Sequence, residues 1–361
     1  MKLKTFQVRM FRNVLDSGVI PVEDVTALVG KNESGKSALL SGLHALNPAK
    51  PDAPLDLDEE YPRWLKKEHQ ISGELDSAVP ITATYELEDD DVAELESAFG
   101  PDSMKSREIT AYRKYGDARL FIEADVDASY LLSTTLDGLG TKLRTAVGEP
   151  PELEHLVAEL DRVIAAANAA VPATVGLAGE ATDARTKITT SLAGQTSAEA
   201  AVEALLEPRL PRTFYFSSYS ALRGRYTLEE VLAAVQAGSE DEQIQAAADF
   251  LRLARVDPDT MKDADFEKSN GELEATSSLL TNRVKKHWKQ NKHLKLAVKI
   301  ESKQTTDPSG YPAINNYLQF RVEDTRHDFS NRLDRRSTGF QWFVSFLASF
   351  LEFQKDKNRD C

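Results

Sequence analysis

The sequence predicts an α/β fold, with a β-sheet built around a glycine-rich loop and the helix that follows it, and a long helical insertion. Three observations predict it. Apolar and polar residues alternate with a period of two near both ends of the chain. The octapeptide Gly30-Lys31-Asn32-Glu33-Ser34-Gly35-Lys36-Ser37 stands between a β-branched apolar run and a Leu/Ala-rich one. Composition shifts near residue 126 to Ala, Thr, Leu and Glu and stays so to about 207.

Leu3, Thr5, Gln7 and Arg9 alternate with Lys4, Phe6, Val8 and Met10, which predicts a half-buried strand. A turn at Asp16-Ser17-Gly18 precedes a second strand at Val19–Val22. Val25-Thr26-Ala27-Leu28-Val29 is apolar, largely β-branched and ends at Gly30, which predicts a buried third strand entering a tight turn. Ala38–Leu46 predicts a helix stopped by Asn47-Pro48. Residues 48–62, rich in Pro and Asp, read as a surface loop, and Pro80–Leu87 as a strand. Glu88–Asp91 suits either a helix N-terminus or a solvated acidic turn. A hairpin is expected at 109–115 and 118–124, around Gly116-Asp117.

In the insertion, Leu153, Leu156, Val157, Leu160, Val163 and Ile164 share one helical face, and Ala198–Leu206 reads as a further helix. Pro208 and Pro211 bracket an expected return to strand at Arg212–Phe216, so that 126–207 separates two parts, 1–125 and 208–361, of one sheet-containing domain. Thr227 with Glu230 forms a capping box ahead of a helix, and another helix is expected over 240–254. Leu294, Leu296, Val298 and Ile300, then Leu318, Phe320 and Val322, predict a late hairpin, and Thr338–Phe353 an apolar helix.

The chain has 361 residues, enough for about two domains, with 41% hydrophobic and 28% charged residues. Lys and Arg number 44 against 58 Asp and Glu, a net charge of −14, which excludes attraction of the molecule as a whole to nucleic acid or anionic lipid. The single cysteine, Cys361, excludes an internal disulfide and a cysteine metal cluster. Neither a signal core nor an apolar run of the ~18 residues that a spanning helix needs is present, so a cytoplasmic protein without membrane association is expected.

Gly30–Ser37 matches G-x-x-x-x-G-K-[ST] at every fixed position. The chemistry needs each of them. Gly30 and Gly35 let the backbone turn closely around phosphate oxygens. The N–H groups of Lys31, Asn32, Glu33, Ser34 and the helix start through Ala38 carry positive partial charge. Lys36 reaches the β- and γ-phosphates, and the Ser37 hydroxyl contacts Mg²⁺.

Phe11-Arg12-Asn13 followed by Leu28–Ser37 resembles the opening of RecF/SMC-type ATPases, most of all the OLD-like, AAA-type ATP-binding proteins of bacteria. The resemblance implies a P-loop NTPase of the ABC/SMC head type, with a mixed sheet around the loop helix, that uses ATP and Mg²⁺. It places Arg12 and Asn13 near the nucleotide. Arg335-Arg336-Ser337-Thr338-Gly339-Phe340-Gln341-Trp342-Phe343 resembles the signature motif of the same ATPases. There a Ser and a Gly, here Ser337 and Gly339, touch the γ-phosphate bound by a partner head, so Ser337 joins Lys36 as a catalytic candidate in a head-to-head homodimer. Asp58, Glu59 and Glu60 stand where related heads carry a Mg²⁺- or water-contacting residue; a solvated loop is the plainer reading of each.

The family's later apolar strand ending in Asp-Glu has no counterpart after the signature-like segment, and no metal-dependent nuclease module follows. The sequence therefore reads as a head truncated before that strand. Leu120–Asp125 imitates it only as an ordinary strand. Between Arg283 and Lys303 eight basic residues face one acid, Glu301, with Trp288 among them. This reads as a solvated helix face followed by an amphipathic strand, with DNA phosphate contact the alternative. The resemblance implies ATP-gated dimerisation serving DNA repair, recombination or phage defence. A non-hydrolysing nucleotide-binding fragment and a P-loop kinase are the competing readings.

Overall fold

The computed structural model describes residues 1–49, 55–169, 175–216, 221–255, 266–289, 291, 293–306 and 311–355. The chain folds as two compact units, Met1–Tyr215 and Phe216–Cys361.

In the first unit the opening alternation becomes β1 (Lys2–Phe11). One flank of β1 pairs with β2 (Val14–Asp16) and β3 (Ile20–Pro21). The other pairs with β4 (Ile81–Glu86), which is followed by β5 (Met104–Arg113) and β6 (Phe121–Val126). Register places Phe6, Ala83, Ala111 and Ile122 in one buried row across four strands. The period-two pattern thus delivers a continuous apolar face. Helix α1 (Lys36–Leu46) buries Ala38, Gly42 and Leu46 at i, i+4 and i+8. Gly42 permits its approach to the sheet, since a Cβ there would lie 3.0 Å from Val8 Cγ2.

Helices α2 (Leu57–Glu60) and α3 (Arg63–Ser72) precede β4. Helix α4 (Asp89–Phe99) follows it, opened by a capping box between Glu88 and Asp91, so the acidic run is a helix start. The Ala-rich stretch forms α5 (Ser129–Asp137), α6 (Thr141–Val147), α7 (Leu153–Ala169), α8 (Val175–Ser191) and α9 (Ala198–Leu206). Leu153, Leu156, Val157, Leu160 and Val163 of α7 share one buried core with the sheet.

The second unit contains β7 (Arg225–Thr227), α10 (Leu228–Ala237), α11 (Glu242–Leu253), α12 (Phe266–His287), β8 (Leu294–Thr306), β9 (Pro312–Asp324), β10 (Phe329–Arg332) and α13 (Thr338–Lys355). β9 pairs with β8 on one flank and with β7 and β10 on the other. Phe320 stands edge-on to Tyr226 and Phe250, with ring centroids 5.9 and 5.1 Å away. The Thr227–Glu230 capping box forms as expected.

Four expectations are corrected. Val25–Val29 is not a strand; Val25 and Val29 are 88% and 93% exposed. Both flanks of β1 are already occupied, and the last ties to that sheet before the run are Val22 N–H to Lys4 O and the Lys2–Asp24 ion pair. Arg212–Phe216 forms no strand either; Thr213 makes an isolated parallel bridge with Pro48. The stretch 48–62, of which 50–54 lie outside the described residues, holds α2 and the buried Leu55 and Tyr61 rather than only surface loop. Finally, the sheet is not mixed: all strand pairs among the described residues are antiparallel, and strands after residue 216 build a second sheet with its own core. What holds is the broader class, helices packed on β-sheets.

Candidate functional site

Residues 30–35 turn tightly and Lys36 opens α1. Glu33 and Gly35 take positive φ, 64° and 93°. Gly35 suits this freely, whereas Glu33 carries the strain of a left-handed non-glycine residue. A Cβ on Gly35 would lie 3.2 Å from Val14 Cγ2 on a backbone already at positive φ, so glycine is required there; a Cβ on Gly30 would lie 2.9 Å from Ser34 Oγ, a hydroxyl that can rotate aside. The Asn13 side-chain amide donates to Glu33 O at 3.3 Å, which braces the turn from the end of β1.

The Lys36 ammonium folds over the loop and donates to Gly30 O at 2.9 Å, Lys31 O at 2.6 Å and Ser34 Oγ at 3.4 Å. All three acceptors are neutral. Anionic phosphate oxygens form stronger, charge-assisted bonds with an ammonium and can displace them. The N-terminus of α1 has no side-chain cap and no acid in its first turn. Its positive end is therefore open to an anion. Lys31, Asn32, Glu33, Ser34 and Ser37 are exposed, and Ala38 is buried against the core.

Arg12 stands next to this loop for a reason the sequence does not display. Its backbone is left-handed, φ 52°, as is that of Met10, φ 46°. Its N–H donates to Glu60 O at 2.5 Å. Its guanidinium forms a bidentate pair with the Glu60 carboxylate, at 2.6 and 3.1 Å, and approaches Ser41 Oγ at 3.4 Å. Glu60 raises the Arg12 pKa, chiefly through that hydrogen bond. Ser41 lies four residues after Ser37, on the same face of α1. Arg12 is thus held one helical turn from the hydroxyl expected to meet Mg²⁺. Tyr61, buried beside Glu60, shares a 2.6 Å hydrogen bond with His69 Nδ1, and Tyr115 donates to Met10 O at 2.7 Å. The Arg12–Glu60 pair and the edge-on contact of Tyr61 with Tyr115, 5.5 Å between ring centroids, fasten the 60–69 segment to the end of β1. Glu60 and Arg12 lie 48 residues apart, so only tertiary structure pairs them.

Of the other acidic candidates, Asp58 pairs with Lys66, which lowers its pKa, and Glu59 is exposed. Glu123 lies on β6 and accepts from Tyr112 OH at 3.0 Å. Among the described residues no three His, Cys, Asp or Glu side chains gather to hold a metal. A Mg²⁺ ion at this loop would find one protein hydroxyl, that of Ser37, and would take the rest of its shell from phosphate oxygens and water, a set that Mg²⁺ accepts.

The signature-like segment lies in the second unit. Leu333–Arg335 is a 3-10 turn, and α13 starts at Thr338 with Gln341 N–H donating to Ser337 O at 3.0 Å. Gln341 Nε2 turns back and donates to Arg336 O at 2.8 Å, a closure that no local sequence pattern announces. Ser337 and Gly339 are exposed. A concavity of about 350 Å³ beside them is lined by Arg335, Arg336, Ser337, Asn291 and Trp288. The basic stretch divides between the end of α12 and β8, with Lys295, Lys299 and Lys303 exposed and Lys292 outside the described residues. Among the described residues no helix is long and apolar enough to cross a membrane. No protein-family model matches this sequence, and no curated protein is significantly similar to it.

Proposed function

We propose that the chain binds Mg²⁺-ATP at Gly30–Ser37 and works as an ATP-gated head of the RecF/SMC/OLD kind. The observation that carries this reading is the loop itself. It has a glycine, Gly35, that its positive φ requires, an uncapped helix N-terminus and an ammonium resting on neutral acceptors. In this reading Lys36 and the N–H groups of 31–38 hold the phosphates, Ser37 meets Mg²⁺, and Arg12 and Asn13 flank the site. Ser337 and Gly339 of a second copy complete it in a head-to-head dimer. ATP then shifts the population toward closed dimers and hydrolysis reopens them. The work served is DNA repair, recombination or phage defence.

One observation favours a second reading, nucleotide binding without efficient turnover. Glu60, the carboxylate held beside Arg12, has both oxygens committed to that guanidinium. A positioned general base typically contributes about 10²–10⁴-fold to rate.

Both readings are tested by measuring Mg²⁺-ATP binding and turnover in the full chain and in Lys36→Ala. Binding is expected to fall at least about tenfold in the variant, the loss of one charge-assisted contact of ~1.5–3 kcal/mol. Binding indifferent to Lys36 sinks both. Turnover that depends on Lys36, together with ATP-driven dimerisation abolished by Ser337→Arg, selects the gated ATPase. Binding with negligible turnover selects the second reading.

A further inference from the structure

The outer edge of β8 is covered along only part of its length. Leu296 N–H donates to Thr281 Oγ1 at 2.9 Å, and Val298 N–H to Ser277 Oγ at 3.1 Å, both on α12. In an antiparallel ladder the N–H and C=O of a residue point to the same side. The even-numbered residues of β8 therefore face away from β9. The β8–β9 register runs unbroken from Leu294 to Thr306, so Ile300, Ser302 and Gln304 continue that outward row. Among the described residues their N–H groups have no partner, and residues 301–304 are exposed. An open strand edge is a template for a further strand.

We propose that this edge pairs with the same edge of a second copy, antiparallel about a two-fold axis through Ser302. Charge, hydrogen-bond parity and the covered inner edge select that register: an axis through Ile300 would also oppose Lys299 and Glu301, but it sets Ser302 against Val298, whose N–H is already bound to Ser277. The outward row makes Ser302 face its own copy, and Ile300 face Gln304, as hydrogen-bonded pairs. Glu301 then stands opposite Lys303, and Lys303 opposite Glu301, in the non-hydrogen-bonded positions where side chains come closest. Moving the axis to Glu301 sets two glutamates face to face, and moving it to Lys303 sets two lysines face to face. Both alternatives oppose like charges, which is destabilising across strands. The contact is isologous, as a two-fold dimer requires. It is short, because α12 takes over the edge at Val298, and so describes a reversible association. It uses neither the loop at 30–37 nor Ser337 and stands apart from the ATP reading.

Sedimentation velocity of the full chain without nucleotide, over a concentration series reaching the high micromolar range, tests it. A reversible monomer–dimer equilibrium is expected, unchanged in Lys36→Ala. Glu301→Lys alone and Lys303→Glu alone should each weaken the dimer about tenfold, since each converts two attractive pairs into repulsive ones. Combining the two reversals should restore the original affinity. Both residues are exposed, and Glu301 also accepts from Gln319 Nε2 on β9, so circular dichroism is run on all three variants and should show them folded. A chain monomeric throughout, a dimer indifferent to the single reversals, or a double variant that stays as weak as the singles overturns the proposal; the charges would then serve to keep the edge unpaired.

Discussion

At the scale of single residues, two positions carry consequences out of proportion to their size. Gly42 lets α1 lie on β1, and two methyl carbons of Val8 stand 3.0 and 3.1 Å from where a Cβ would be. Gly42→Val should lower stability by about 1–3 kcal/mol through overpacking, read as a shift of the urea midpoint. Asp91 is nearly buried and receives Arg209 Nε at 2.8 Å, the Met1 amino group at 2.9 Å and the Glu88 N–H at 3.0 Å. Burial alone would raise its pKa, but these hydrogen bonds outweigh it and hold the carboxyl below its ordinary value. A depressed folded pKa means stability that is present above the unfolded value, near ~3.9, and lost as pH falls through the folded one. Asp91→Asn should therefore cost about 1–3 kcal/mol at neutral pH, and the gap to the parent should close in acid. An unchanged gap at pH below the carboxylate range would contradict that assignment.

At the scale of elements, local signals and long-range supply part company. The Thr227–Glu230 box, the α7 face and the β8–β9 alternation all formed as their patterns require, because each depends on neighbours a few residues away or directly across a hairpin. Val25–Val29 has strand composition but no strand to pair with among the described residues, and β propensity without a partner does not make a ladder. The inner part of the β8 edge is satisfied by hydroxyls, a device no periodicity announces. Thr281→Val keeps the shape of that side chain and removes its acceptor, leaving a buried N–H on Leu296 unbonded. The expected cost is ~1–3 kcal/mol, with faster amide hydrogen exchange at Leu296. Exchange at Leu296 equal to that of the parent would show that the N–H finds another acceptor.

At the scale of the whole molecule, the chain divides into two units, each with its own hydrophobic core. Unfolding is then not obliged to be all-or-none. The proposed phosphate site lies in Met1–Tyr215, so saturating Mg²⁺-ATP should stabilise the transition of that unit. At a hundred times Kd the gain is about 2.7 kcal/mol, and Lys36→Ala should abolish it. Calorimetry with and without nucleotide measures this. A single transition insensitive to ATP would speak against both the independence of the units and the site. The Arg12–Glu60 pair belongs to this scale as well, since it joins the end of β1 to a segment delivered by the intervening loop and helix.

The sequence by itself determined the helices and strands whose signals are local, the Gly30–Ser37 loop with its helix, and the helical character of 126–207. These follow from backbone torsions, caps and periodicity, which act over a few residues. Tertiary structure alone decided that the strands form two antiparallel sheets, that Val25–Val29 lies exposed, that Glu60 holds Arg12 beside α1, and that α12 covers only part of the β8 edge. Each of these depends on which groups arrive to fill a neighbour's hydrogen-bonding valence or apolar face. That is a competition among segments distant in sequence, and no segment carries its outcome alone.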